Sequence, residues 1–112
     1  MANSHSPPVF PKAPVDLVAV VLGGDQVILA WTECGAGGLG FRIERAEGNS
    51  SPGVFSEVGR VGPHIAAFRD GSVKPHAKYF YRVHAWDASG ASSPSNVVEV
   101  TTEPADTELP AG

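Results

Sequence analysis

Val73-Lys74-Pro75-His76-Ala77-Lys78-Tyr79-Phe80-Tyr81-Arg82-Val83-His84-Ala85-Trp86-Asp87-Ala88-Ser89-Gly90 reads as a turn feeding a long strand. Side chains alternate across a strand with period two, so Tyr79, Tyr81, Val83 and Ala85 form one apolar face, and Phe80, Arg82, His84 and Trp86 form the other. A tyrosine opening such a strand, a few residues after a proline-bearing turn, has the layout of a tyrosine corner, with the ring inside and the hydroxyl on a backbone group. The stretch predicts a β-sandwich.

Working outward, a first strand over 16–21 turns Leu17, Ala19 and Val21 one way and Val18 and Val20 the other, and Gly23-Gly24-Asp25 reverses the chain. The second strand, 26–32, sets Val27, Leu29 and Trp31 inward and pairs with the first as a hairpin. Glycines 35, 37, 38 and 40 make residues 33–40 too flexible for a helix, and a third strand follows with Phe41 and Ile43 in and Arg42 and Glu44 out. A polar loop, 46–53, leads to a fourth strand at 54–61, where Phe55 and Val58 or Val61 close the core. The fifth, 65–69, inserts Phe68, and Asp70 then stabilises a turn by accepting backbone N–H bonds. The last strand, 96–102, brings in Val98 and Val100. No helix is expected.

The ordered blocks Pro14-Val15-Asp16-Leu17, Val27-x-Leu29-x-Trp31, Gly40-Phe41-Arg42-Ile43-Glu44-Arg45, Phe68-x-Asp70, the opening stretch, Ser95-Asn96 and Val100-Thr101-Thr102 resemble a fibronectin type III domain over residues 14–103. The resemblance implies an all-β, seven-stranded, two-sheet, immunoglobulin-like Greek-key sandwich without catalytic residues. It further implies a spacer or binding surface in a larger, mostly extracellular or cell-surface protein, with bacterial carbohydrate-degrading enzymes and adhesins as parents by analogy. It implies no single ligand.

Composition agrees with one domain, because 112 residues give room for one sandwich core and no second. A formal charge of -4, with Glu103, Asp106 and Glu108 gathered toward the C-terminus, offers phosphates no attracting field, so no nucleic-acid partner is expected. The lone Cys34 cannot form an intradomain disulfide and is read as a shielded, inert thiol. No apolar run reaches the roughly 20 residues of a membrane span, and Met1-Ala2-Asn3-Ser4-His5-Ser6 has neither the basic nor the hydrophobic part of a signal peptide. Prolines 7, 8, 11 and 14 and the acidic, proline-containing end mark 1–13 and 104–112 as connectors flanking a monomeric domain over 14–103.

Chemistry-bearing motifs are weak. The four histidines, His5, His64, His76 and His84, lack the short paired spacing of a metal cage, and no cofactor is implied. Gly90-Ala91-Ser92-Ser93-Pro94-Ser95 is a turn-rich loop rather than a nucleophile elbow, and Gly35-Ala36-Gly37-Gly38 lacks the lysine of a phosphate loop. No catalytic residue is assigned. Arg69-Asp70-Gly71 has the residues of the integrin motif in another order, and Asn49-Ser50-Ser51 fits a glycosylation sequon on a loop.

Two surfaces stand out. Phe80, Arg82, His84 and Trp86, with Arg42 and Glu44 beside them, form a panel that either binds protein or sugar through Trp86 or is a self-contained lid, Arg82 lying over Trp86 and Glu44 pairing to Arg82. On the other sheet Val18, Val20, Ile28 and Ala30, with Ala67, point outward as an apolar stripe suited to docking a neighbouring domain or linker. The reading is a non-catalytic spacer and orienting module. The alternative is recognition of protein or polysaccharide through the Trp86 panel or the end loops at 33–40 and 87–94. The structural core is Leu17, Leu29, Trp31, Phe41, Ile43, Phe68, Tyr79, Tyr81, Val83, Val98 and Val100.

Overall fold

In the computed structural model, which describes residues 11–35 and 38–104, the long strand of the opening stretch is β6, Lys78–Asp87, and it is the most extensively paired strand of its sheet. The other strands are β1 (Val15–Leu22), β2 (Gln26–Thr32), β3 (Gly40–Glu47), β4 (Ser56–Val61), β5 (Ala67–Asp70), β7 (Gly90–Ala91) and β8 (Val98–Thr101). One sheet runs β1-β2-β5; the other runs β4-β3-β6, with β7 and β8 both on the free edge of β6. Every ladder is antiparallel. No helix occurs among the described residues.

The hairpin β1-β2 and the neighbourhood of β3 and β6 follow the sequence reading, and β2 has the anticipated bounds. The chain differs from seven strands because it returns along β6 in two steps, the two-residue β7 and then β8, with Pro94, which has no N–H to give a ladder, between them. β4 starts at Ser56 rather than Val54, which is 89% exposed. β5 is shifted to Ala67–Asp70, so Ile65 stands outside it.

Leu17, Val27, Leu29, Trp31, Phe41, Ile43, Tyr79, Tyr81, Val83, Ala85 and Val100 fill the space between the sheets, while Phe68 and Val98 are half-buried against them. Each large side chain so buried contributes about 1.5–3 kcal/mol, which sets the two sheets face to face. Val58 and Val61 close the core as expected; Phe55 does not. Val73 and Ala46 are buried without having been anticipated.

The ends of the sandwich are distinct. Antiparallel pairing places the start of β1, the β2–β3 and β4–β5 loops and the β6–β7 turn at one pole; the β1–β2 turn, the β3–β4 and β5–β6 loops and the end of β8 lie at the other. Near the first pole the Asn96 side chain joins the sheets, its Oδ1 accepting from Leu17 N at 2.9 Å and its Nδ2 donating to Leu17 O at 3.0 Å. At the second pole Glu103 N donates to Gly23 O at 3.2 Å and Glu103 O accepts from His76 N at 3.0 Å. Thr102 Oγ1 accepts from Ala77 N at 2.9 Å and donates to Lys74 O at 2.6 Å. The connectors expected at 1–13 and 104–112 lie outside the described residues, apart from residues 11–13 and Pro104.

Candidate functional site

Cross-strand register builds the panel on the outer face of the larger sheet. Arg60, Arg42 and His84 lie side by side on β4, β3 and β6, with Glu57, Glu44 and Arg82 forming the next row. Glu44 is the hub: its Oε1 accepts from Arg82 Nε at 2.7 Å and faces His84 Nε2 at 2.9 Å. Burial opposes ionisation of Glu44, but hydrogen bonds from Arg82 and His84 and their charges outweigh it and hold its pKa below the usual carboxylate value. Arg42 Nε is 3.9 Å from Glu44 Oε2 and has no hydrogen-bond partner among the described residues.

The panel is less open than alternation suggests. Phe80 and His84 point to the outer face yet are buried, 5% and 8% exposed, and Trp86 is half-buried. The lid on Trp86 is Arg60, 5.1 Å from the ring centroid, and not Arg82. Arg60 reaches across from β4 because Gly40, paired with Trp86, leaves no side chain in the way, and a double contact to Glu57 at 2.8 and 3.1 Å steadies it. Arg82 stacks instead on Phe55 at 4.1 Å, so Phe55 covers the outer face rather than the core. The anticipated Arg82–Glu44 pair is present.

Among the described residues nothing covers the other outer face. Val18, Ala30 and Ala67 form one cross-strand row and Val20, Ile28 and Arg69 the next. Val18 and Val20 are each 56% exposed, Ala30 and Ala67 are exposed, and Ile28 is half-buried. The end loops at 33–40 and 87–94 share the pole where β1 begins, tied by Leu39 N donating to Trp86 O at 2.9 Å; residues 36 and 37 of the first lie outside the described residues.

A buried polar cluster was only partly legible. Asp70 Oδ1 accepts from Ser72 N at 3.0 Å, as the turn reading anticipates, but Oδ2 also accepts from Tyr81 Oη at 2.6 Å and Arg45 Nη1 at 2.9 Å. Burial alone would raise the Asp70 pKa; the hydrogen bonds of Tyr81, Ser72 and Arg45 outweigh it and lower it. Burial, then the adjacent carboxylate, raises that of Tyr81. Arg45 was the available signal, since alternation from Phe41 and Ile43 turns it inward, where a guanidinium needs an anion. Asp70 at 3% exposure is in no position to serve an adhesion motif.

Cys34 is exposed, which corrects the shielded thiol; it sits in the β2–β3 loop, beyond the reach of the core. His64 pairs with Glu33 at 3.1 Å, His76 lies in the β5–β6 loop, and His5 is outside the described residues. Among the described residues no group of three His, Cys, Asp or Glu is placed to hold a metal, and no helix is long and apolar enough to cross a membrane. Asn49 is exposed.

No protein-family model and no curated protein matches the chain. Solved structures do. The fibronectin type-III domain of human fibronectin type III domain containing protein 3 is 26% identical with a TM-score of 0.72, over 97% of this chain and 100% of that one. The FN1-FN3 domains of chicken CNTN1 (20% identity, TM-score 0.73, 84% of this chain) and domains A168-A170 from titin (20%, 0.72, 83%) are similar in fold. This chain spans 32% of each of those two.

Proposed function

We propose that this chain, which has the fibronectin type III fold, is a non-catalytic module that spaces and orients neighbouring domains in a secreted or surface multidomain protein. The observation that carries the reading is the path of the backbone. β1 and β8 run in the same direction, Leu17 beside Asn96 at one pole and Gly23 beside Glu103 at the other, so the chain comes in at one end and leaves at the opposite end. An eight-residue strand at about 3.3 Å per residue separates those ends by roughly 26 Å. The hydrogen bonds that fix Thr102 and Glu103 to two loops make the departure point rigid, which suits a part whose output is geometry.

The test is small-angle scattering on a fusion with a folded reporter at each end. The spacer reading expects a longest dimension exceeding that of the directly fused reporters by roughly one strand length. Reporters collapsed against the sandwich would contradict it.

A second reading, recognition of a protein, is favoured by the exposed stripe of Val18, Val20 and Ala30. An apolar face of this kind suits a neighbouring domain. Carbohydrate stacking on Trp86 has less support, because a sugar ring would have to displace Arg60 from Trp86. If Val20→Lys with Ile28→Lys leaves a two-domain fusion unchanged in stability and shape, docking on the stripe fails.

A further inference from the structure

His84 directs both ring nitrogens at oxygen atoms. Nδ1 lies 2.8 Å from the Ser92 carbonyl oxygen and Nε2 lies 2.9 Å from Glu44 Oε1. A carbonyl has no hydrogen to give and an ionised carboxylate has none, so each contact is a hydrogen bond only when the facing nitrogen carries the hydrogen. Neutral imidazole has one N–H and imidazolium has two. With the residue 8% exposed, water is poorly placed to make up a missing bond.

On the far side of Glu44 there is a complementary defect. Arg42 Nε is buried without a hydrogen-bond partner among the described residues, and Glu44 Oε2 stands 3.9 Å away. An N–H donor sealed from water and left unbonded is costly, and a small movement of Glu44 would satisfy it. One carboxylate therefore lies between two donors that it does not serve together.

We propose that Glu44 is a two-position carboxylate forming a proton-driven switch: it stays on His84 while His84 carries both ring hydrogens, and moves to Arg42 Nε when Nε2 gives up its hydrogen. The Nδ1–H bond is the one retained, because Ser92 cannot easily leave: its N donates to Ala85 O at 2.7 Å and its Oγ accepts from Ala85 N at 2.9 Å. A bare Nε2 facing a carboxylate is repulsive, and Glu44 is the partner with somewhere to go. The charged groups around the imidazole are Glu44 and Arg42 from β3 and Arg82 from β6, with Arg60 of β4, held by Glu57, beyond Arg42. The segment after β7 brings the Ser92 carbonyl. Arg82 donates to Glu44 and favours its ionised form, so the proton of His84 decides between the two positions. The consequence is a change in the charge pattern of the outer face with the sandwich intact.

Nitrogen-detected NMR of the full labelled chain, followed over the pH range in which it stays folded, tests this. The expected result is that both His84 nitrogens are protonated at the acid end, that Nε2 alone loses its hydrogen on raising the pH, and that the Arg42 Nε–H resonance shifts in the same titration. In Glu44→Gln the Arg42 resonance should stop following His84. A ring with one bare nitrogen throughout, a ring with both hydrogens throughout, an Arg42 signal indifferent to His84, or one that still follows it in Glu44→Gln would each overturn the switch. The wild-type titration decides the matter even where the variant does not fold.

Discussion

Tyr81 Oη donates to Asp70 Oδ2 at 2.6 Å inside the sandwich, whereas the hydroxyl of Tyr79, two residues earlier on the same face, accepts from the backbone N–H of Lys74 at 2.8 Å. Tyr79 is thus the corner tyrosine, and Tyr81 serves a charge. A neutral hydrogen bond contributes about 1 kcal/mol net and one to a charged group about 1.5–3 kcal/mol. Tyr81→Phe should therefore lower the urea midpoint more than Tyr79→Phe does. Equal shifts would mean that the Asp70 contact contributes no more than the corner.

Asp70 supplies a pH dependence with a definite sign. Its folded-state pKa is below the ordinary 3.8, burial being outweighed by Tyr81, Ser72 and Arg45. A group with a depressed folded pKa stabilises the fold above its unfolded pKa and loses that contribution as the pH falls through the folded value. Melting temperatures of wild type and Asp70→Asn should differ by a constant amount near neutrality and converge below the ordinary value. A gap that persists unchanged into strong acid would show that Asp70 is not titrating there.

Trp31, 6% exposed and edge-on to Phe41 at 5.5 Å between centroids, anchors the first pole. Trp31→Ala should cost about 3–5 kcal/mol, a large part of a small domain's stability, and denaturant unfolding would show it.

Gly24 has no space for a side chain: a Cβ there would lie 2.8 Å from Glu103 O and 2.9 Å from Pro75 Cβ. Gly24→Ala should cost about 1–3 kcal/mol by overpacking and should raise amide exchange at Glu103 and His76, whose bonds it pushes apart. Unaltered protection there would show that the β1–β2 turn yields instead.

Arg60→Ala should uncover the Trp86 ring. The cost to stability should be small, but quenching of tryptophan fluorescence by iodide should rise. If soluble polysaccharides shift the Trp86 indole resonance in Arg60→Ala and not in wild type, Arg60 is what closes the panel.

The alternation from Tyr79 to Trp86 made the sandwich legible, because period two assigns a face to every residue of β6 and, through register, of β3. It could not report how much covers a face. Phe80 and His84 were assigned to the outer side, correctly, but alternation does not show what covers them: Phe80 lies against Gly48 of the β3–β4 loop and His84 against the segment around Ser92. Arg60 took the place expected for Arg82 over Trp86 because a diagonal two strands away is closer in space than a neighbour on the same strand when Gly40 leaves the path empty. The division of the last strand turned on Pro94, and the shift of β5 on where Asp70 meets Val27, a long-range pairing that local pattern does not contain.

The co-directional course of β1 and β8 also governs how the module meets force. Tension applied through the chain on either side runs along the strands, so the ladders β1-β2 and β6-β8 are loaded in shear, many hydrogen bonds at once, instead of being unzipped one after another. The Asn96 amide, which joins Leu17 to the opposite sheet, lies across that line of load and would be among the first bonds to bear it.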